Sequence, residues 1–113
     1  MASEFRMTHR VEFAHTDMAG IMHFSNFFRL MEETEHAFFR SLGLSIMLRE
    51  GDRVVGWPRV HAACDYRRPL RFEDEVDVAL RVVEKKEKAL TYQFTFHRLA
   101  EPAETAAVGR LTV

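Results

Sequence analysis

Asp17 is the residue of this chain whose neighbours best equip it for chemistry. It stands in the loop His15-Thr16-Asp17-Met18-Ala19-Gly20, which runs into a long apolar pattern of helical period starting near Phe24. The first N–H groups of a helix lack intrahelical partners and carry the positive end of the helix dipole, so they stabilise negative charge. Such a terminus can polarise a carbonyl and hold the oxyanion that develops on it. A carboxylate beside it can attack an activated acyl carbon, or take a proton from the attacking water. A weakly basic carboxylate suits a thioester better than an amide. On composition and spacing alone, the plainer reading is that Asp17 caps a turn.

Other chemistries have less to stand on. The six histidines (His9, His15, His23, His36, His61 and His97) are scattered without ligand spacing, and no HExxH, cysteine pair or Walker-type glycine loop occurs, so no metal is expected. Cys64 falls on the alternating face of a strand and reads as core, not as a nucleophile. As the lone cysteine it cannot form an intramolecular disulfide, which points to a reducing compartment and makes a cytoplasmic location the default. The formal charge of −1 argues against binding driven by attraction to nucleic acid or anionic membrane. The opening MASEFRMTHR has charges where a signal peptide needs an apolar run, and no stretch approaches the ~20 apolar residues of a membrane span. With 47% hydrophobic and 29% charged residues, the 113 positions suit one globular domain, 1–113.

The elements that must position Asp17 follow from periodicity. Residues 4 to 13 alternate, with Phe5, Met7, Val11 and Phe13 on one face and His9 interrupting it, which predicts a strand. Phe24, Phe27, Phe28, Met31, Phe38 and Leu42 then recur at helical offsets, widened by Leu30, Ala37 and Phe39 and interrupted by Glu35. Ser25 is the expected N-cap and Gly43 the C-terminal stop, giving a helix of roughly 27 Å. A helix this apolar needs cover on most sides. Residues 43 to 58 read as irregular, with one further helical turn expected over 45–49. Alternation predicts four more strands, at 59–67 (Val60, Ala62, Cys64, Tyr66), 75–84, 90–97 and 105–113, with Pro69 breaking the chain after the first and 84–88 forming a solvated hairpin. Successive strands on short connections imply an antiparallel sheet, and five curved strands around one helix make an α+β domain. Val83 and Ala106, read as outward, leave the outer face only partly polar, which points to pairing with a second copy.

These residues also carry a resemblance. VEFAHTDMAGIMHFSNFFRLMEE resembles the signature of the hot-dog-fold acyl-CoA thioesterases of the 4-hydroxybenzoyl-CoA thioesterase-like family, through Asp17, Ala19, Gly20, Ile21, Met22, Asn26, Phe27 and Glu32. GWPRVHAACDYRRPLRFEDEVDV looks like that family's second and third strands. The resemblance covers nearly the whole chain. It implies a hot-dog fold, homodimers or homotetramers with sheets joined edge to edge, and active sites between subunits. Carried over, Asp17 would be nucleophile or general base, and the backbone N–H of Phe24 would bind the thioester oxygen. Gly20 would allow the close turn, and His23 and Asn26 would line the site. Trp57 and His61 would shape the acyl pocket, and Lys86 and Lys88 would meet the phosphates of coenzyme A, which enters as part of the substrate; no separate cofactor is implied. Two departures stand out. Many relatives carry a His where this chain has Phe24, and relatives tend to continue past Val113, so the last strand is expected to be short. Glu32 and Glu35 read as structural acids awaiting an arginine, because a buried carboxylate is costly unless paired.

The function implied is hydrolysis of an acyl-CoA thioester. Two alternatives stay beside it. One is a catalytically inert hot-dog module that binds acyl-CoA or a protein partner. The other is an acyl-thioester dehydratase, ranked lower because its His in a Pro-rich context has no counterpart here.

Overall fold

The structure is a computed structural model that describes residues 4–113; the first three residues of the charged opening lie outside them. Seven strands and one long helix follow the order β1 (Glu4–Arg10), α1 (Ser25–Ser41), β2 (Leu48–Glu50), β3 (Arg53–Val55), β4 (His61–Tyr66), β5 (Glu75–Lys86), β6 (Ala89–Arg98) and β7 (Glu104–Thr112). Five of them form one antiparallel sheet in the order β1-β5-β6-β7-β4, while β2 and β3 make a separate hairpin. The sheet closes over α1. Period-two side chains explain which face does so: Val76, Val78 and Leu80 of β5 and Tyr92, Phe94 and Phe96 of β6 are fully buried. From α1 they meet Phe27, Leu30, Met31 and Phe39. This is the predicted α+β hot-dog architecture.

The helix ends as its sequence dictates. Gly43 takes a left-handed φ of +76°, its N–H donates to the Arg40 carbonyl, and the Leu44 N–H donates to that of Phe39. That pair of bonds is a Schellman stop. Helix and sheet approach so closely at Gly109 of β7 that an added Cβ would collide with Met31 Cε.

Several local expectations change. Phe24 occupies the N-cap position and Ser25 is the first helical residue, its hydroxyl turned to His23 Nδ1 at 2.8 Å. The stripe facing the sheet is Phe27, Leu30, Met31, Thr34, Glu35 and Phe39, whereas Phe24 and Leu42 are exposed. The turn of helix expected over 45–49 is absent, since Leu48 already starts β2; two short pairable runs around Gly51 make a hairpin instead. The first strand stops at Arg10, and Phe13 lies in a 3-10 turn, largely exposed and edge-on to Phe72. His9, which seemed to interrupt the apolar face, is buried, with Nε2 3.0 Å from the Thr34 hydroxyl. Ala106 is buried, not outward, because a register shift in the β6–β7 pairing leaves it unpaired in a bulge.

Candidate active site

The Asp17 turn is built by short-range bonds. The Gly20 N–H donates to the Asp17 carbonyl at 2.9 Å, and the Ala19 N–H donates to Asp17 Oδ1 at 2.9 Å. An Asp side chain that mimics a backbone turn in this way is a common turn device. Gly20 is required by its φ of +81°, not by crowding, since a Cβ there would meet open space. The Asp17 N–H donates to the Ile21 carbonyl, and Thr16 and Met22 form an isolated antiparallel bridge, so the loop closes as a small hairpin. Two bonds then fasten it to α1: the His15 carbonyl accepts from the His23 N–H and from Asn26 Nδ2, both at 2.8 Å. Asn26 is therefore buried as a brace.

The same bonds decide which N–H is left over. The N–H of Met22 goes to Leu70, that of His23 to His15, that of Ser25 to His23 Nδ1, that of Asn26 to His23 and that of Phe27 to Phe24. Among the described residues no carbonyl accepts the Phe24 N–H. It stands at the positive end of the helix.

A cleft of about 480 Å³ opens here, lined by Asp17, Ile21, Met22, Phe24 and Phe27 on one side and by Tyr66, Arg67, Arg68 and Pro69 on the other. Its walls are mostly apolar. Tyr66 packs edge-on against Phe27 and Phe24, with centroids at 5.0 and 6.4 Å, and its hydroxyl donates to the Phe24 carbonyl at 3.2 Å. Desolvation pushes the Tyr66 hydroxyl up to about 12, so it stays a donor at neutral pH. Burial likewise pushes the Cys64 thiol up to about 11, which keeps it protonated and a poor nucleophile. An apolar cleft with a carboxylate and an uncommitted N–H at its mouth can hold an acyl group and present its carbonyl to both.

The remaining residues singled out from the sequence lie elsewhere in this chain. His23 borders a polar hollow on the other side of the loop, with His15, Asn26 and Arg29. Trp57 and Lys88 share a separate pocket with Val60 and Val113, and Trp57 packs edge-on against Phe39. His61 is exposed at the start of β4, and Lys86 is 3.7 Å from Glu84 in the hairpin. The arginine awaited by the helix acids is Arg59, 2.7 Å from the fully buried Glu35 and 3.2 Å from Glu32. Sequence reasoning missed Tyr66, Arg67 and Arg68 as cleft residues. Their signal was positional: a strand that stops shortly before Pro69 delivers the residues after it beside whatever Leu70 is bonded to, here Met22. Among the described residues, no cluster of three His, Cys, Asp or Glu side chains is placed to hold a metal, and no helix is long and apolar enough to cross a membrane.

The family model of the thioesterase-like superfamily matches residues 11–113. A relative from Aquifex aeolicus (strain VF5), named "Putative esterase", is 38% identical over 75% of this chain and 66% of its own length. The 1,4-dihydroxy-2-naphthoyl-CoA hydrolase of Picosynechococcus sp. is 28% identical over 99% of this chain and 77% of its own. A solved gentisyl-coenzyme A thioesterase superposes with a TM-score of 0.82 at 27% identity, covering 96% of this chain and 85% of that one. Fold and relatives define the class, a thioesterase-like protein. The chain belongs to the thioesterase-like superfamily.

Proposed function

We propose that this chain hydrolyses the thioester of an aromatic acyl-CoA in the Asp17 cleft. The observation that carries the reading is that Asp17 and Phe24, whose backbone N–H is uncommitted, line one cleft together with Phe27 and Tyr66. The thioester oxygen rests on the Phe24 N–H, which strengthens its bond as negative charge collects there. Asp17 then acts on the carbonyl carbon in one of two ways. As nucleophile it forms a mixed anhydride and expels the coenzyme A thiolate, and water cleaves the anhydride. As general base it takes a proton from water, whose oxygen bonds to the carbon directly. Either route yields free acid and coenzyme A. The activities that name the relatives, on 1,4-dihydroxy-2-naphthoyl-CoA and gentisyl-CoA, together with the aromatic wall, support an aromatic acyl group.

The active unit is a homodimer joined through β4. This strand is an edge of the sheet, and its inward-facing residues Ala62 and Tyr66 stay exposed although their β7 partners Leu111 and Ala107 are buried. Antiparallel pairing of two β4 edges sets the Tyr66 end of one copy beside the His61 end of the other, roughly 17 Å away within a single chain. The second copy thereby brings His61, and Trp57 just before it, toward the Asp17 cleft. Sedimentation also tests whether two such dimers join as a homotetramer.

Thiol release from aromatic, short-chain and long-chain acyl-CoAs, compared between the parent and Asp17→Asn, tests the reading. The substitution keeps shape and removes charge and basicity. An aromatic thioester is expected to be cleaved, with the variant slower by about 100-fold or more. An equally fast variant removes Asp17 from the mechanism. Binding of coenzyme A without cleavage of any thioester identifies an inert module.

A further inference from the structure

Two arginines stand at the mouth of the cleft, and only one of them is spoken for. Arg67 and Arg68 follow the last residue of β4, and both backbone N–H groups donate to the one carbonyl of Ala106, at 2.8 and 3.0 Å. That carbonyl is available because Ala106 sits in the β7 bulge and has no ladder partner. Pro69 follows, and the Leu70 carbonyl accepts the Met22 N–H at 2.7 Å, while the Leu70 side chain is fully buried. The segment is thus fastened to β7 on one side and to the Asp17 hairpin on the other. Arg67 is held beside the cleft by the scaffold, not by its own side chain.

The two guanidinium groups differ in what they touch. Arg68 Nε lies 3.3 Å from Glu104. Among the described residues Arg67 has no carboxylate within 4.0 Å, and neither arginine is in ion-pair range of Asp17. With Glu104 offsetting Arg68, the cleft carries one carboxylate and one uncompensated cation. An uncommitted guanidinium presents a planar fork of N–H donors that fits a carboxylate or phosphate in two parallel bonds.

We propose that Arg67 is a specificity-determining residue that recognises an anionic oxygen group on the substrate, a carboxylate of the acyl portion or a phosphate of coenzyme A. This inference rests on the cleft being the thioesterase site. Because Arg67 is exposed, it acts on binding and on the choice among substrates and leaves the bond-breaking step to Asp17.

The test measures kcat and KM for the parent, Arg67→Met and Arg67→Lys on four thioesters: benzoyl and 3-carboxybenzoyl groups, each on coenzyme A and on phosphate-free pantetheine. Loss of a charge-assisted pair at an exposed site corresponds to about a tenfold change in kcat/KM. If the anion is a coenzyme A phosphate, Arg67→Met lowers kcat/KM about tenfold for both coenzyme A thioesters relative to their pantetheine counterparts. If it is an acyl carboxylate, the loss follows the carboxybenzoyl group on either carrier. In both cases the change falls on KM, and Arg67→Lys recovers part of it, since the charge remains and the fork does not. Uniform change across all four substrates overturns the proposal. So does a variant whose only defect is weakened dimerisation in sedimentation, which assigns Arg67 to the subunit interface. A parent that cleaves these thioesters while Arg67→Met matches it leaves the thioesterase reading intact. A parent that cleaves no thioester overturns both.

Discussion

At the scale of single residues, the cleft depends on groups whose roles differ in kind. Gly20 serves the backbone. An alanine there would have room for its Cβ but would be forced to hold a φ of +81°, at a cost of about 1 kcal/mol. Urea denaturation of Gly20→Ala should show that loss, and a slower thioesterase rate should accompany it, because the Asp17 carbonyl loses its partner geometry. Tyr66 positions and does not react. Its hydroxyl fixes the Phe24 carbonyl, so Tyr66→Phe should lower kcat several-fold with KM little changed, in line with loss of about 1 kcal/mol of hydrogen bonding at the residue whose N–H is proposed to hold the oxyanion. A pure KM effect would make Tyr66 a wall of the acyl pocket only. Asp17 could be singled out from sequence because it stands in a short polar loop directly ahead of a long apolar helix. Tyr66 was not, because 49 positions separate it from Asp17 and only sheet registry brings the two together.

At the scale of elements, α1 carries polar groups into the core and must satisfy each from the sheet or its loops. Glu35 is fully buried and meets Arg59, which also reaches Glu32 and so pins the entry to β4 onto the helix. Burial, with the Glu35 carboxylate nearby, raises the pKa of the Tyr92 hydroxyl, so it stays a neutral donor beside that acid. Arg59→Met strands the Glu35 carboxylate and should cost about 2 kcal/mol, a value reduced because Arg59 touches solvent. Adding Glu35→Gln should recover part of it, and additivity of the two losses in a double-mutant cycle would show that the pair is not coupled. His9 does the same task on the β1 side. Desolvation lowers its pKa below the usual histidine range, with Glu33 partly opposing. A folded pKa below the unfolded value of ~6.5 means stability is fully present above that pH and is lost as pH falls through it toward the folded value. The Tm should therefore drop as pH falls below about 6.5, and His9→Gln should flatten that slope; an unchanged slope would place the acid sensitivity elsewhere.

At the scale of the whole molecule, the unfinished feature is β4. The alternation of Ala62, Cys64 and Tyr66 sets their side chains on the same face as the buried residues of β7, yet two of the three remain uncovered. An edge strand left so bare invites pairing with a second copy. Sedimentation equilibrium should find a dimer. Ala63→Lys, which sets like charges near the proposed twofold axis, should shift it toward monomer and lower kcat/KM in parallel, since in the proposed dimer the cleft borrows the neighbour's His61 and Trp57. A fully active monomer would return the site to a single chain.

Much of the fold could be read from the chain because its cause is local. Period-two runs specified β5, β6 and β7, a switch to helical period specified α1, and Gly43 marked the helix end, since backbone geometry alone decides which side chains share a face. The motif around Asp17 was equally local, a turn whose bonds span four residues. The tertiary structure decided what depends on registry and bulges. It put Ala106 in the β7 bulge, made Leu48 begin a hairpin strand, gave Glu35 to Arg59, and carried Tyr66 and Arg67 from the far edge of the sheet to the mouth of the Asp17 cleft. A one-residue bulge redirects every side chain that follows it, and no pattern within β4 or β7 alone records where that bulge falls.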